Sequence, residues 1–129
     1  MVEEIQKKFQ NEVDKLRQDQ KDYNKMLTQR QQLDGQLNEN IVVKKELDLL
    51  KADNEVFKLV GPVLVKQDLC EAKQNVDKRM DYIKSELKRV DDILATLDKK
   101  IDSHRETLEK LQQAFQQAQI KASLNQPKS

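Results

Sequence analysis

From Val76 onward the apolar residues of this chain advance by four and then three positions without a slip. One row of the seam holds Met80, Leu87, Leu94, Ile101, Leu108, Phe115 and Ala122; its companion row holds Val76, Ile83, Val90, Leu97, His104, Leu111 and Ala118. A seven-residue repeat sustained this far keeps one narrow apolar stripe along a helix, and such a stripe needs a second helix to cover it. The expected form is a left-handed coiled coil.

The covering helix is available earlier in the chain. Val2, Ile5, Phe9, Leu16, Tyr23, Met26, Leu33, Leu37 and Leu47 share one heptad frame, whereas Glu12, Asp19, Arg30, Asn40 and Lys44 fill the remaining seam positions. Val13, Leu27 and Ile41 lie one residue off and widen the stripe. Polar seam residues restrict register and weaken packing, so this arm is expected to be the looser of the two. Gly35 falls on its outer side, a tolerated weak point costing ~1 kcal/mol relative to Ala. With two glycines, two prolines and 4% aromatic residues in 129, the chain lacks the breakers and the large anchors of a compact globule.

Between the arms the period changes. Val56-Phe57-Lys58-Leu59-Val60 and Val63-Leu64-Val65-Lys66 flank Gly61-Pro62, which reads as a β-hairpin closed by a two-residue type II′ turn. Gly61 supplies the positive φ and Pro62 the negative φ that follows. Asp53 and Asn54 are expected to end the first helix, and Asp68 to cap the second. The fold class is therefore mainly α: a long antiparallel coiled-coil hairpin of helices with a central β-hairpin. Its single domain divides into a first arm (1–52), a β-hairpin (55–67), a second arm (69–122) and a disordered tail (123–129). Each arm of about fifty residues would reach on the order of 75 Å, with both termini at the far tip. A lone two-stranded hairpin is marginal in water, and this one is apolar at nearly every position. It calls for cover from other subunits.

Several function classes drop out. The 24 basic and 23 acidic residues nearly cancel, which leaves no stripe for a helical-arm nucleic-acid binder. No run approaches the ~20 apolar residues that span a bilayer, and the start, Met1-Val2-Glu3-Glu4-Ile5, does not read as a secretory or transit segment. A single Cys70 cannot form an internal disulfide, fitting a reducing compartment, the cytoplasm or also the nucleus; within the fold it is read as a small apolar filler. His104, the only histidine, lacks companions for a metal or catalytic centre. It is expected to be a structural layer residue, with Glu12 or Asp19 the nearest seam acids by length matching. Gly35 and Gly61 are too far apart for a phosphate loop. No cofactor and no enzymatic activity are expected.

Three blocks carry a more specific signal: Gln36-Leu37-Asn38-Glu39-Asn40, the hairpin from Val56 to Gln67, and Asn75-Val76-Asp77-Lys78-Arg79-Met80-Asp81-Tyr82-Ile83. Together they resemble the β-type subunits of prefoldin across all but the last several residues. The resemblance implies a heterohexamer of two α-type and four β-type subunits, joined through their β-hairpins into a double β-barrel platform. Here Val56, Phe57, Leu59, Val60, Val63, Leu64 and Val65 would be the assembly residues. It also implies a chaperone that holds unfolded proteins, chiefly actin and tubulin, at the tips of its coiled coils and passes them to the cytosolic chaperonin without using ATP. The client-binding tip would comprise Val2, Ile5, Phe9, Leu111, Phe115, Ile120 and Leu124. A coiled-coil adaptor or tether without chaperone activity is the alternative from the heptads alone, although a tether needs no apolar hairpin at its midpoint.

Overall fold

The computed structural model describes residues 2–51 and 54–125. Helix α1 spans Val2–Leu49, strand β1 Val56–Val60, strand β2 Val63–Gln67 and helix α2 Leu69–Leu124. β1 and β2 pair antiparallel, with Val56 opposite Gln67, Phe57 opposite Lys66 and Val60 opposite Val63. That register leaves Gly61 and Pro62 as the two-residue turn. Gly61 takes a φ of 57° and no other described residue has a positive φ, as a type II′ turn requires.

Local chemistry sets the element ends. α1 stops at Leu49 rather than at residue 52. Asn54 turns the chain there: its side-chain Oδ1 accepts from the Lys51 amide at 2.7 Å and its own amide donates to the Lys51 carbonyl at 2.9 Å. An Asn that folds back on nearby backbone offers an alternative to the helical ladder. Asp53 lies outside the described residues. Asp68 stands at the N-terminal boundary of α2, its carbonyl accepting the first helical bond from the Ala72 amide at 2.9 Å. At the other end α2 runs to Leu124, two residues into the segment expected as tail, and the Asn125 amide still donates to the Lys121 carbonyl at 3.1 Å. Residues 126–129 lie outside the described residues. Cys70 is exposed, which corrects its reading as a filler: the first turn of α2 turns Leu69 and Ala72 inward and leaves the thiol outside, with the Gln74 amide nitrogen 3.9 Å from Sγ.

The described chain forms two compact units. The first, Thr28–Asp91, contains the hairpin and the adjoining helix segments. Its core is Leu47, Ala72, Val76 and Met80, with Leu37, Ile41, Leu50, Val56 and Leu69 packed around them. Burying an aliphatic side chain of this size contributes ~1.5–3 kcal/mol. Ion pairs flank the seam: Arg30 Nε to Asp91 Oδ1 at 2.6 Å, Lys44 Nζ to Asp77 Oδ1 at 2.7 Å and Lys73 Nζ to Asp48 Oδ1 at 3.6 Å. Arg30 and Lys44 stand two heptads apart on α1, and so do Asp77 and Asp91 on α2, which fixes the segments as antiparallel in one register. The hydrogen bond to Asp77 holds the Lys44 ammonium above its ordinary value. The hydrogen bond to Asp91, with the charge of Asp34, does the same for Arg30.

The second unit joins the described residues up to Leu27 with those from Asp92 onward. Leu94, Leu97 and Ile101 are buried in it, and Leu108, Leu111 and Phe115 are half-buried. Across the described residues every buried apolar side chain except Leu47 belongs to α2. The polar seam positions of α1 explain the imbalance. They are nonetheless paired, since no buried side-chain nitrogen or oxygen among the described residues lacks a hydrogen-bond partner. The expected loosening of the first arm thus does not come from orphaned polar groups.

Candidate functional site

Two surfaces gather the residues singled out in the sequence. The first is the β-hairpin. Alternation along its strands puts Phe57, Leu59, Leu64 and Lys66 on one face and Val56, Lys58, Val60, Val63, Val65 and Gln67 on the other. Val56 alone of the apolar set packs into the core. Leu59 is 67% exposed and Leu64 65%, while Phe57, Val60, Val63 and Val65 are also exposed. Both faces of a five-residue apolar ribbon are therefore open, and in a two-stranded sheet each strand has one unpaired edge. Exposed apolar edges of this kind are templates for further strands.

The second surface lies in the unit built from the chain ends. Ile5, Phe9 and Phe115 line an open, mainly apolar groove together with Gln6, Gln10 and Gln112. Helix α1 brings Ile5 and Phe9 to one side because they occupy successive seam positions. Phe115 enters from the seam of α2. The glutamines were not picked out from the sequence. Gln6 and Gln112 flank the seam, so the heptad frame itself could have placed those two on the rim, whereas Gln10 lies further out. The remaining tip candidates stand apart from this groove. Val2 and Leu111 are half-buried, whereas Ile120 and Leu124 are 61% and 79% exposed on the outer surface of α2. The groove thus joins the apolar side chains of Ile5, Phe9 and Phe115 to three glutamine amides.

Within the same unit His104 occupies a polar layer. Its Nδ1 lies 2.5 Å from Glu12 Oε1 and its Nε2 lies 3.0 Å from Asp19 Oδ2. All three side chains are largely shielded, at 20%, 13% and 17% exposure. Length matching named Glu12 or Asp19; the imidazole reaches both, one through each nitrogen. No cluster of three or more His, Cys, Asp or Glu suited to a metal ion occurs among the described residues. The layer instead resembles a lock on axial register. Ile5, Glu12, Asp19 and Met26 follow one another at heptad spacing, so a slip of one heptad would oppose His104 to an apolar residue and a single acid.

Comparison with known proteins places this arrangement. The sequence profile of the prefoldin subunit family matches residues 10–115. Prefoldin subunit 6 of Mus musculus is 55% identical over 119 residues, covering 92% of this chain and 94% of the mouse protein. Prefoldin subunit 6 of Arabidopsis thaliana is 49% identical over 118 residues, covering 92% of each chain. In fold, the chain is similar to the prefoldin beta subunit from Thermococcus strain KS-1, with a TM-score of 0.58 at 22% identity over 93% of this chain and 95% of that one. Apolar hairpin, paired helices and sequence agree, and the chain belongs to the prefoldin family.

Proposed function

We propose that this chain is a subunit of an ATP-independent holdase that grips unfolded proteins at the helix ends and joins its neighbours through the β-hairpin. Membership of the prefoldin family makes it a chaperone subunit that assembles with other prefoldin subunits. The partners in our reading are two α-type and three further β-type subunits in a heterohexamer. The clients are unfolded proteins, actin and tubulin among them, which pass to the cytosolic chaperonin in the cytoplasm, with the nucleus as a second location. The chain does no chemistry on them.

The observation that carries the holding role is the groove of Ile5, Phe9 and Phe115, open and apolar where a coil end would ordinarily need nothing but closure. Apolar surface presented this way attracts apolar segments of unfolded chains. Shared among several tips, even a weak grip becomes effective through multivalency.

The test uses the chain with its co-purified partner subunits. Unfolded actin diluted into this assembly should stay soluble without ATP, and photo-crosslinks from the tip should reach the client. Phe9→Asp with Phe115→Asp should reduce crosslinking from this tip while the assembly stays intact. Aggregation that proceeds as in buffer would leave the adaptor or tether reading standing. Undiminished crosslinking in the double variant would place client capture elsewhere on the arms.

A further inference from the structure

The segment from Asn75 to Ile83 carries more than the helix seam requires. Val76, Met80 and Ile83 are buried in the seam, but Arg79 and Tyr82 lie outside it and are exposed. Tyr82 is 67% exposed, more than Phe9 at 37% or Phe57 at 49%, in a chain with only 4% aromatic residues. Lying three residues apart on α2, Arg79 and Tyr82 share one helix face. Arg79 also lines two grooves in the unit Thr28–Asp91. One holds Tyr82, Gln36 and Asn40; the other holds Phe57 and Val43. The two grooves thus form one strip, running from the base of the β-hairpin along the side of the helix pair.

Charge distinguishes this strip. Arg30, Lys44 and Lys73 each have a carboxylate within reach across the helix pair. Of the three arginines in this unit, Arg30 pairs with Asp91 and Arg89 with Glu86, whereas Arg79 has no ion pair among the described residues. A guanidinium beside an exposed tyrosine and phenylalanine is the composition of an interface centre, where Arg and Tyr contribute most. Arg79 presents a fork suited to bidentate binding of a carboxylate.

We infer that the Phe57–Arg79–Tyr82 strip is a second subunit contact, seating a neighbouring prefoldin subunit that offers a carboxylate to Arg79 and an apolar side chain to Tyr82. It rests on the reading of the hairpin as the assembly element, because the strip begins where the hairpin ends. A neighbour bound to the hairpin would be held at high local concentration beside Arg79.

The experiment uses the complete assembly reconstituted from purified subunits, with a photo-crosslinking amino acid at Tyr82 and the products identified by mass. A crosslink to another prefoldin subunit is expected. In parallel, Arg79→Glu should speed exchange of this subunit out of the assembly roughly tenfold, the scale of one lost charge-assisted contact. The helical circular dichroism and unfolding of the isolated chain should not change, since Arg79 forms no ion pair among the described residues. An intact assembly with no crosslink from Tyr82, or with crosslinks only to an added unfolded client, would overturn the inference and leave the hairpin reading untouched. Failure of the unsubstituted subunits to assemble would instead count against the hairpin reading, and with it this one. An Arg79→Glu exchange rate equal to that of the unsubstituted protein would remove the carboxylate from the proposal.

Discussion

The two units close their seams in opposite ways. In Thr28–Asp91 the buried core is apolar, and the seam cations Arg30 and Lys44 reach its edge to pair with Asp91 and Asp77, as Lys73 does with Asp48. In the unit of the chain ends a polar layer of Glu12, His104 and Asp19 is largely shielded from solvent, and apolar rings are left in an open groove. The difference teaches what each part is built for. An apolar core with flanking ion pairs gives a firm base to the hairpin, whereas a polar layer behind an open apolar groove keeps the helices in register without asking that groove to hold them together.

The sharpest way to break this comparison is at the hairpin. Leu59→Asp with Val63→Asp places charges on a ribbon exposed in the isolated chain, so the helical signal of that chain should survive unchanged. Buried between subunits, the same charges would cost several kcal/mol, and the variant should elute as free subunit in size-exclusion chromatography. Its recovery in an intact assembly would show that the hairpin is not the assembly element.

A second test falls on the polar layer. His104→Leu strands two partly shielded carboxylates opposite an apolar side chain and should cost about 1–3 kcal/mol, read by urea unfolding. Replacing Glu12, Asp19 and His104 together with Leu should recover that loss or exceed it, while disulfide scanning between α1 and α2 should then detect more than one register. A triple variant confined to a single register would mean that the seam fixes alignment without the layer.

How much of this was legible in the chain follows from the range of each signal. The seam and the turn at Gly61-Pro62 came from short-range periodicity and residue type, and the family from the resemblance carried by three sequence blocks. The reach of His104 came from counting outward from the turn, which worked because antiparallel helices preserve spacing. Counting could name Glu12 or Asp19, but only geometry shows one acid on each ring nitrogen. The groove at Phe9 depends on which seam residues fail to be covered, and the strip at Arg79 depends on which cations find no acid. Those are facts about side-chain placement, and no heptad frame contains them. The exposure of Cys70 was missed for the same reason: a lone residue type does not say which side of the first turn it takes.

Smaller effects sharpen the picture. Amide exchange should be slower along Met80–Leu97 than along Leu16–Leu33, because the buried residues of the first stretch have only half-buried counterparts in the second. Equal protection would indicate that paired polar residues hold α1 as well as burial holds α2. The smallest change expected is from Gly35→Ala. A methyl there meets nothing within 4 Å and the helix runs through unbroken, so the variant should gain roughly 0.5–1 kcal/mol. A loss of stability would reveal a contact on the outer side of α1.

The unit of the chain ends is assembled from the beginning and the end of the sequence, and that has a consequence during synthesis. Residues up to Leu27 emerge before Thr28–Asp91, yet the rest of their unit lies beyond Asp91. At ~5–20 residues per second the ribosome needs several seconds to supply it. The segment Thr28–Asp91, with its turn in the middle, can fold as soon as it has emerged, and by doing so it shortens the loop that the two ends must close. Ile5 and Phe9 spend that interval without Gln112 or Phe115, as bare apolar residues on a nascent chain. A ribosome-bound fragment ending before Asp92 is the form of this protein most in need of help from chaperones already made.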